Sequence, residues 1–124
     1  MICCRNCNTA NADSNSQCSS CEASLLIAVL ECILSSDERV EQGTQWGLFG
    51  KDYTVGRSLN NDIVISGEFV SRQHFMIKYN VEEKVFYYES IARNLLDFEK
   101  QTYKILDGAI IPLPETIELK FSYL

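Results

Sequence analysis

The sequence predicts an all-β protein, a β-sandwich preceded by a small cysteine-rich segment, and three observations carry that prediction. From residue 25 onward, short apolar or alternating runs are separated by turn-forming residues, as in an antiparallel sheet protein. The last of these runs, residues 117–123, alternates Ile117, Leu119, Phe121 and Tyr123 with Glu118, Lys120 and Ser122, which gives one buried and one wet face. Five of the six cysteines fall within the first 21 residues, a stretch with almost nothing else to bury. A chain of 124 residues holds one ordinary domain and a small appendage. Its 46% hydrophobic and 23% charged residues match average soluble usage rather than a disordered chain.

Taken in order, residues 8–20 are polar and offer turns and caps but no core, so residues 1–24 are read as a unit of their own and residues 25–124 as the sandwich domain. Residues 25–34 are apolar nearly throughout. The β-branched Ile27, Val29 and Ile33 favour a strand over a buried helix. Further strands are expected at 53–55, 63–65, 74–79, 85–89, 109–111 and 117–123. Gly43, Gly47, Gly50, Asn60-Asn61-Asp62, Gly67 and Asp107-Gly108 read as the punctuation between them. Pro112 and Pro114 suit a turn or an edge strand, since proline cannot donate to a ladder. Ile91, Leu95, Phe98, Thr102 and Ile105 fall near helical spacing, and whether that stretch is helix or strand stays open here.

Charge and hydropathy exclude several functions. Eleven bases against seventeen acids give a net charge of -6, with -5 of it in residues 25–124, which argues against broad attraction to nucleic acid or anionic lipid. Residues 1–24 hold a single base, Arg5, and no aromatic, so a nucleic-acid-binding role for them lacks both charge and stacking. The longest apolar run, residues 25–30, is far short of the roughly 20 residues a membrane span takes. The polar start carries no apolar signal region, and the expected location is the reducing cytoplasm, where cysteines are more often metal ligands than disulfides.

Cys4-Arg5-Asn6-Cys7 and Cys18-Ser19-Ser20-Cys21 form two C-x-x-C pairs with ten residues between them. Two such knuckles complete the tetrahedral four-thiolate sphere that Zn²⁺ accepts, and a peptide this short needs the metal to hold it. Four protein ligands leave no open position, so the expected zinc is structural, on Cys4, Cys7, Cys18 and Cys21. Cys3 has the wrong spacing and reads as a spare thiol, while Cys32 reads as a small apolar residue in a sheet. The pattern resembles the short zinc ribbon.

The segment Tyr53-Thr54-Val55-Gly56-Arg57-Ser58, with Asn61-Asp62 before a short apolar run and Ser71-Arg72-Gln73-His74 after it, resembles the forkhead-associated (FHA) family in order and spacing. Asp107-Gly108-Ala109-Ile110-Ile111 is similar to a late turn and strand of that family. The resemblance implies an FHA-type β-sandwich of about eleven strands over residues 25–124, reading phosphothreonine in a partner protein with loops at one end. It places Arg57 and Ser71 on the phosphate and Arg72 as a further donor, with Gly56 and His74 supporting the loops. A guanidinium fork and a hydroxyl are apt partners for a phosphate carrying about -1.5 to -2 charges. The peptide main chain falls to Asn94, with Arg93 beside the phosphate; Leu95 and Leu96 stand where the family has Gly-Thr.

Function follows as a non-enzymatic, phosphothreonine-dependent protein-binding module with a structural zinc ribbon. His74, the sole histidine, has no nucleophile at recognisable spacing, so no active site is assembled. The altered turn at Asn94 motivates the alternative, an assembly adaptor that keeps the sandwich but does not need phosphate. Oligomeric state is left open by the sequence.

Overall fold

The computed structural model describes residues 1–67, 70–90, 102–113 and 117–124. These residues form eleven strands and no helix: β1 (Ile2–Cys3), β2 (Ala10–Asn11), β3 (Ala28–Ser35), β4 (Gln45–Leu48), β5 (Tyr53–Gly56), β6 (Ile63–Val64), β7 (Phe75–Asn80), β8 (Val85–Ser90), β9 (Thr102–Lys104), β10 (Ile110–Leu113) and β11 (Ile117–Tyr123). Nine of them build a sandwich, one sheet in the order β10-β11-β3-β4 and the other β6-β5-β7-β8-β9; β1 and β2 pair separately near the cysteines. No helix among the described residues is long and apolar enough to cross a membrane.

The period-two pattern puts the core between the sheets. Ala28, Leu30 and Cys32 of β3 and Ile117, Leu119 and Phe121 of β11 face inward, against Val55 of β5, Phe75 and Ile77 of β7 and Phe86 of β8. Phe86 bridges the layers edge-on to Phe121 at 5.6 Å. The Tyr123 hydroxyl accepts from the Phe86 amide (2.9 Å) and donates to the Ile105 carbonyl (2.7 Å), so a ring that leans on the core also satisfies two backbone groups. A register shift between Glu118 and Leu119 opposite β3 breaks the alternation there and turns Leu34 outward.

Cys32 is fully buried, as its neighbours in β3 require. Pro112 lies in β10, an edge strand, where its missing N–H costs no ladder bond. Gly47, expected as punctuation, instead sits inside β4, paired with Val29 of β3; a Cβ there would come within 2.8 Å of a terminal methyl of Leu26. β4 and β9 escape a search for apolar alternation: β9 is exposed throughout, and three of the four β4 residues are not fully buried. The end of the helically spaced stretch is strand, with Thr102 in β9 and Ile105 buried beyond it; residues 91–101 lie outside the described residues.

The N-terminal segment has its own small cluster, Cys4, Cys18 and Leu25, and Ile2 packs against both this cluster and the sandwich core. Asp13 fastens it further. Its carboxylate, 8% exposed, accepts from the Tyr79 hydroxyl (2.8 Å) and the Lys84 ammonium (2.5 Å), and its carbonyl accepts from the Gly50 amide (3.1 Å). Burial alone would raise the Asp13 pKa; hydrogen bonds from Lys84, the N-terminal amine and Tyr79 outweigh it and hold it at about 2. A cavity of about 400 Å³ remains between the two parts, lined in part by Ile2, Ile27, Tyr79, Lys84 and Tyr123.

Candidate functional site

Two loops meet where β5 ends and β7 begins. Antiparallel pairing sets Val55 opposite Phe75, so the chain leaving β5 at Gly56 runs beside the chain entering β7. The ladder continues past the strand ends: the Arg57 amide donates to the Ser71 carbonyl (3.0 Å), the Ser58 amide to the Arg72 carbonyl (3.1 Å), and the His74 amide to the Val55 carbonyl (2.8 Å). Gly56 makes this approach possible. A Cβ there would lie 2.3 Å from the Arg72 carbonyl oxygen and 2.9 Å from the Gln73 Cα, all unyielding backbone.

The β5–β6 loop is fixed from inside. The Asn61 side-chain amide donates to the Ser58 carbonyl (2.8 Å) and the Arg72 carbonyl (2.6 Å), tying the loop to itself and to its neighbour. Asn61 is 8% exposed, and this buried amide defines the site's floor. The Asp62 carboxylate accepts from the Thr54 amide (2.8 Å) and hydroxyl (3.2 Å), clamping the far end of the loop to β5. The sequence reads Asn60-Asn61-Asp62 as turn punctuation and Asn61-Asp62 as part of the FHA-like pattern, but assigns neither side chain these contacts. An Asn-Asp pair immediately before an apolar strand was the available signal, because a buried Asn needs partners for its amide.

His74 is half-buried, and its Nδ1 accepts from the Ser71 amide (3.1 Å). Nδ1 acts as acceptor, so the neutral ring carries its proton on Nε2. Burial pushes the imidazole pKa below its ordinary value of 6.5, which keeps that acceptor available. Arg57 and Arg72 are exposed at this end, and among the described residues neither guanidinium is held in an ion pair. The structure thus brings Gly56, Arg57, Ser71, Arg72 and His74 together through backbone pairing. Arg93 and Asn94 lie outside the described residues.

The cysteine centre is at the other end of the sandwich. Each C-x-x-C turns back in the same way: Asn8 N–H bonds the Cys4 carbonyl (2.8 Å) and Glu22 N–H the Cys18 carbonyl (3.0 Å), while Asn8 and Glu22 both have φ of 63°. The Asn6 and Ser20 amides each donate to the first sulfur of their own knuckle at 3.4 Å. Equivalent positions of the two turns are offset by fourteen in the sequence, a small repeat of backbone geometry that the side chains outside the cysteines conceal. Buried Asn11 links them, accepting from the Ser19 amide (2.9 Å) and donating to the Thr9 carbonyl (3.0 Å) and the Cys18 sulfur (3.5 Å).

The four sulfurs of Cys4, Cys7, Cys18 and Cys21 lie within 4.8 Å of one another. A tetrahedral site with metal–sulfur bonds of about 2.3 Å sets its sulfurs roughly 3.8 Å apart, so the donor set fits a metal ion such as zinc. Amide donors from Cys21 and Ser20 outweigh burial and lower the Cys18 pKa to about 6, and the Asn6 side chain lowers Cys21. The Cys7 and Asn6 amides also favour a Cys4 thiolate, but burial and the adjoining Cys21 and Cys18 push that thiol up. Successive thiolates in so small a space repel, which a cation relieves. Cys3 is exposed in β1, outside this group.

Residues 53–112 match the sequence model of the FHA domain. A search of curated proteins found no significant match. Among solved structures, an FHA domain of an Arabidopsis thaliana hypothetical protein superposes with a TM-score of 0.66 at 16% identity, over 94% of both chains. An FHA domain studied for phosphothreonine-dependent interactions gives a TM-score of 0.59 at 19% identity, over 77% of this chain and 95% of the other. Mycobacterium tuberculosis EmbR, solved with a low-affinity phosphopeptide, gives 0.59 at 21% identity, over 86% of this chain but only 26% of EmbR. The motif-bearing strands, the two-layer architecture and the sequence match agree on an FHA-like β-sandwich, with residues 53–112 similar to the FHA domain and a cluster of four cysteines at residues 4–21 preceding it.

Proposed function

We propose that this protein is a non-enzymatic recognition module that binds a phosphorylated partner protein, with phosphothreonine preferred, through the loops at the β5 and β7 ends of the sandwich. The observation that carries the reading is the backbone stitching of Arg57 to Ser71 and Ser58 to Arg72, which sets a guanidinium-bearing residue beside a hydroxyl-bearing one. Arg57 and Ser71 contact the phosphate, Arg72 adds a donor, and Gly56, Asn61 and His74 hold the loops in place. Arg93 and Asn94 are assigned to the adjoining peptide contacts on sequence resemblance. The similar fold of EmbR, solved with a low-affinity phosphopeptide, and of an FHA domain studied for phosphothreonine-dependent interactions supports the phosphoprotein partner.

In this reading residues 1–24 form a zinc ribbon and residues 25–124 the reader domain, in a reducing compartment such as the cytoplasm. Cys4, Cys7, Cys18 and Cys21 hold the ion, which supplies a cross-link and no reaction. A phosphothreonine peptide library tests the binding. Micromolar binders are expected whose capture disappears on phosphatase treatment and on Arg57→Ala, with phosphoserine versions weaker. Binding that survives both treatments would replace this reading with that of a phosphate-independent adaptor.

A further inference from the structure

The four-cysteine ribbon and the reading loops occupy opposite ends of the sandwich. β5 starts at the ribbon end and finishes at Gly56, while β7 starts at the reading end and finishes beside Tyr79, which donates to Asp13. Six residues of β7 separate the ends by roughly 20 Å. The ribbon therefore leaves the reading loops uncovered, and its contacts with the sandwich call for a different explanation.

Those contacts are specific. Asp13, between the two knuckles, is gripped by Tyr79 at the end of β7 and by Lys84 just before β8. Lys84 has a φ of 59°, uncommon for a residue with a side chain, and its ammonium also bonds the Met1 carbonyl (2.7 Å). The Gly50 amide, in the link from β4 to β5, bonds the Asp13 carbonyl; a Cβ on Gly50 would lie 2.3 Å from that oxygen. Ile2 packs in both hydrophobic clusters. Residues 1–24 bury too little to order themselves, so the knuckle loop can present Asp13 in this geometry only while the cysteines are held together.

We infer that metal binding at the four cysteines is coupled to the stability of the sandwich through the Asp13–Tyr79–Lys84–Gly50 dock, so that the ribbon is a metal-dependent strut for the domain rather than a freely tethered module. The inference rests on the metal-binding part of the reading above and not on phosphate recognition. Coupling is reciprocal: whatever metal loading adds to the sandwich, an intact dock adds to metal affinity.

The test uses the full chain and Trp46 of β4, the sole tryptophan, as a reporter of sandwich unfolding. Zinc-loaded and chelator-treated protein are melted side by side, with bound zinc counted independently. In the parent, chelation is expected to lower the Trp46 midpoint by at least about 5 °C, equivalent to roughly 1 kcal/mol of coupling in a domain of this size. Gly50→Ala wedges the dock apart, and its midpoint is expected to be nearly metal-independent while one zinc per chain is retained. The Tyr79→Phe, Lys84→Met double variant removes the grip without a clash and should behave the same way if Gly50→Ala does not fold. A Trp46 midpoint indifferent to chelation in the parent, or an equal metal-dependent shift in parent and variants, overturns the coupling. Absence of zinc binding in the parent overturns the metal reading itself.

Discussion

Gly56→Ala offers the sharpest test of how the reading loops are held. The added Cβ would stand 2.3 Å from the Arg72 carbonyl oxygen, 2.8 Å from its carbon and 2.9 Å from the Gln73 Cα. Real Cβ contacts do not fall below 3.0 Å, so the two segments must separate by about 0.7 Å, and no rotamer change can absorb it because every neighbour is backbone. A shift of that size stretches the Arg57–Ser71 and Ser58–Arg72 bonds, now 3.0 and 3.1 Å, beyond bonding range. Two lost bonds at about 1 kcal/mol each, with some overpacking strain, give a destabilisation of roughly 2–4 kcal/mol. For a domain of this size the melting midpoint should fall by roughly 10–20 °C. Circular dichroism and Trp46 fluorescence measure the midpoint; peptide binding below it measures the loops, and should weaken at least about tenfold, the equivalent of 1.4 kcal/mol. A midpoint within about 2 °C of the parent, with peptide binding unchanged, would refute the close-approach argument.

Other expectations follow from the same geometry. Asn61→Asp sets a carboxylate against the Ser58 and Arg72 carbonyls and should cost about 2–4 kcal/mol at neutral pH in denaturant titrations; a change below about 0.5 kcal/mol would remove Asn61 from the loop floor. His74 has a lowered folded-state pKa, so the unfolded chain takes up its proton first as pH falls. Its contribution is complete above the unfolded value of about 6.5 and is lost on acidification below it. Denaturation midpoints measured from about pH 7.5 to 5.5 should therefore fall, and His74→Asn, which keeps an acceptor for the Ser71 amide without a titrating ring, should flatten that part of the curve. Tyr123→Phe strands the Phe86 amide and the Ile105 carbonyl and should cost about 1–3 kcal/mol, read from chemical denaturation.

The sequence by itself determined the chemistry-bearing letters and the class of fold. Two C-x-x-C pairs, the Gly-Arg-Ser and Ser-Arg-x-His segments and the alternation in residues 117–123 are local patterns, and local patterns survive in one dimension. Strands that show no alternation, such as the exposed β9 and the Gly-containing β4, were invisible because the sheet rather than their own side chains holds them. The same limit applies to Asn61, whose role depends on the carbonyl of Arg72, eleven residues away. Only the tertiary structure decided that Asp13 would meet Tyr79 and Lys84, because a pairing across 66 or 71 residues leaves no periodic trace in the chain. It likewise decided that ribbon and reading loops stand at opposite ends, a consequence of the direction in which β5 and β7 run.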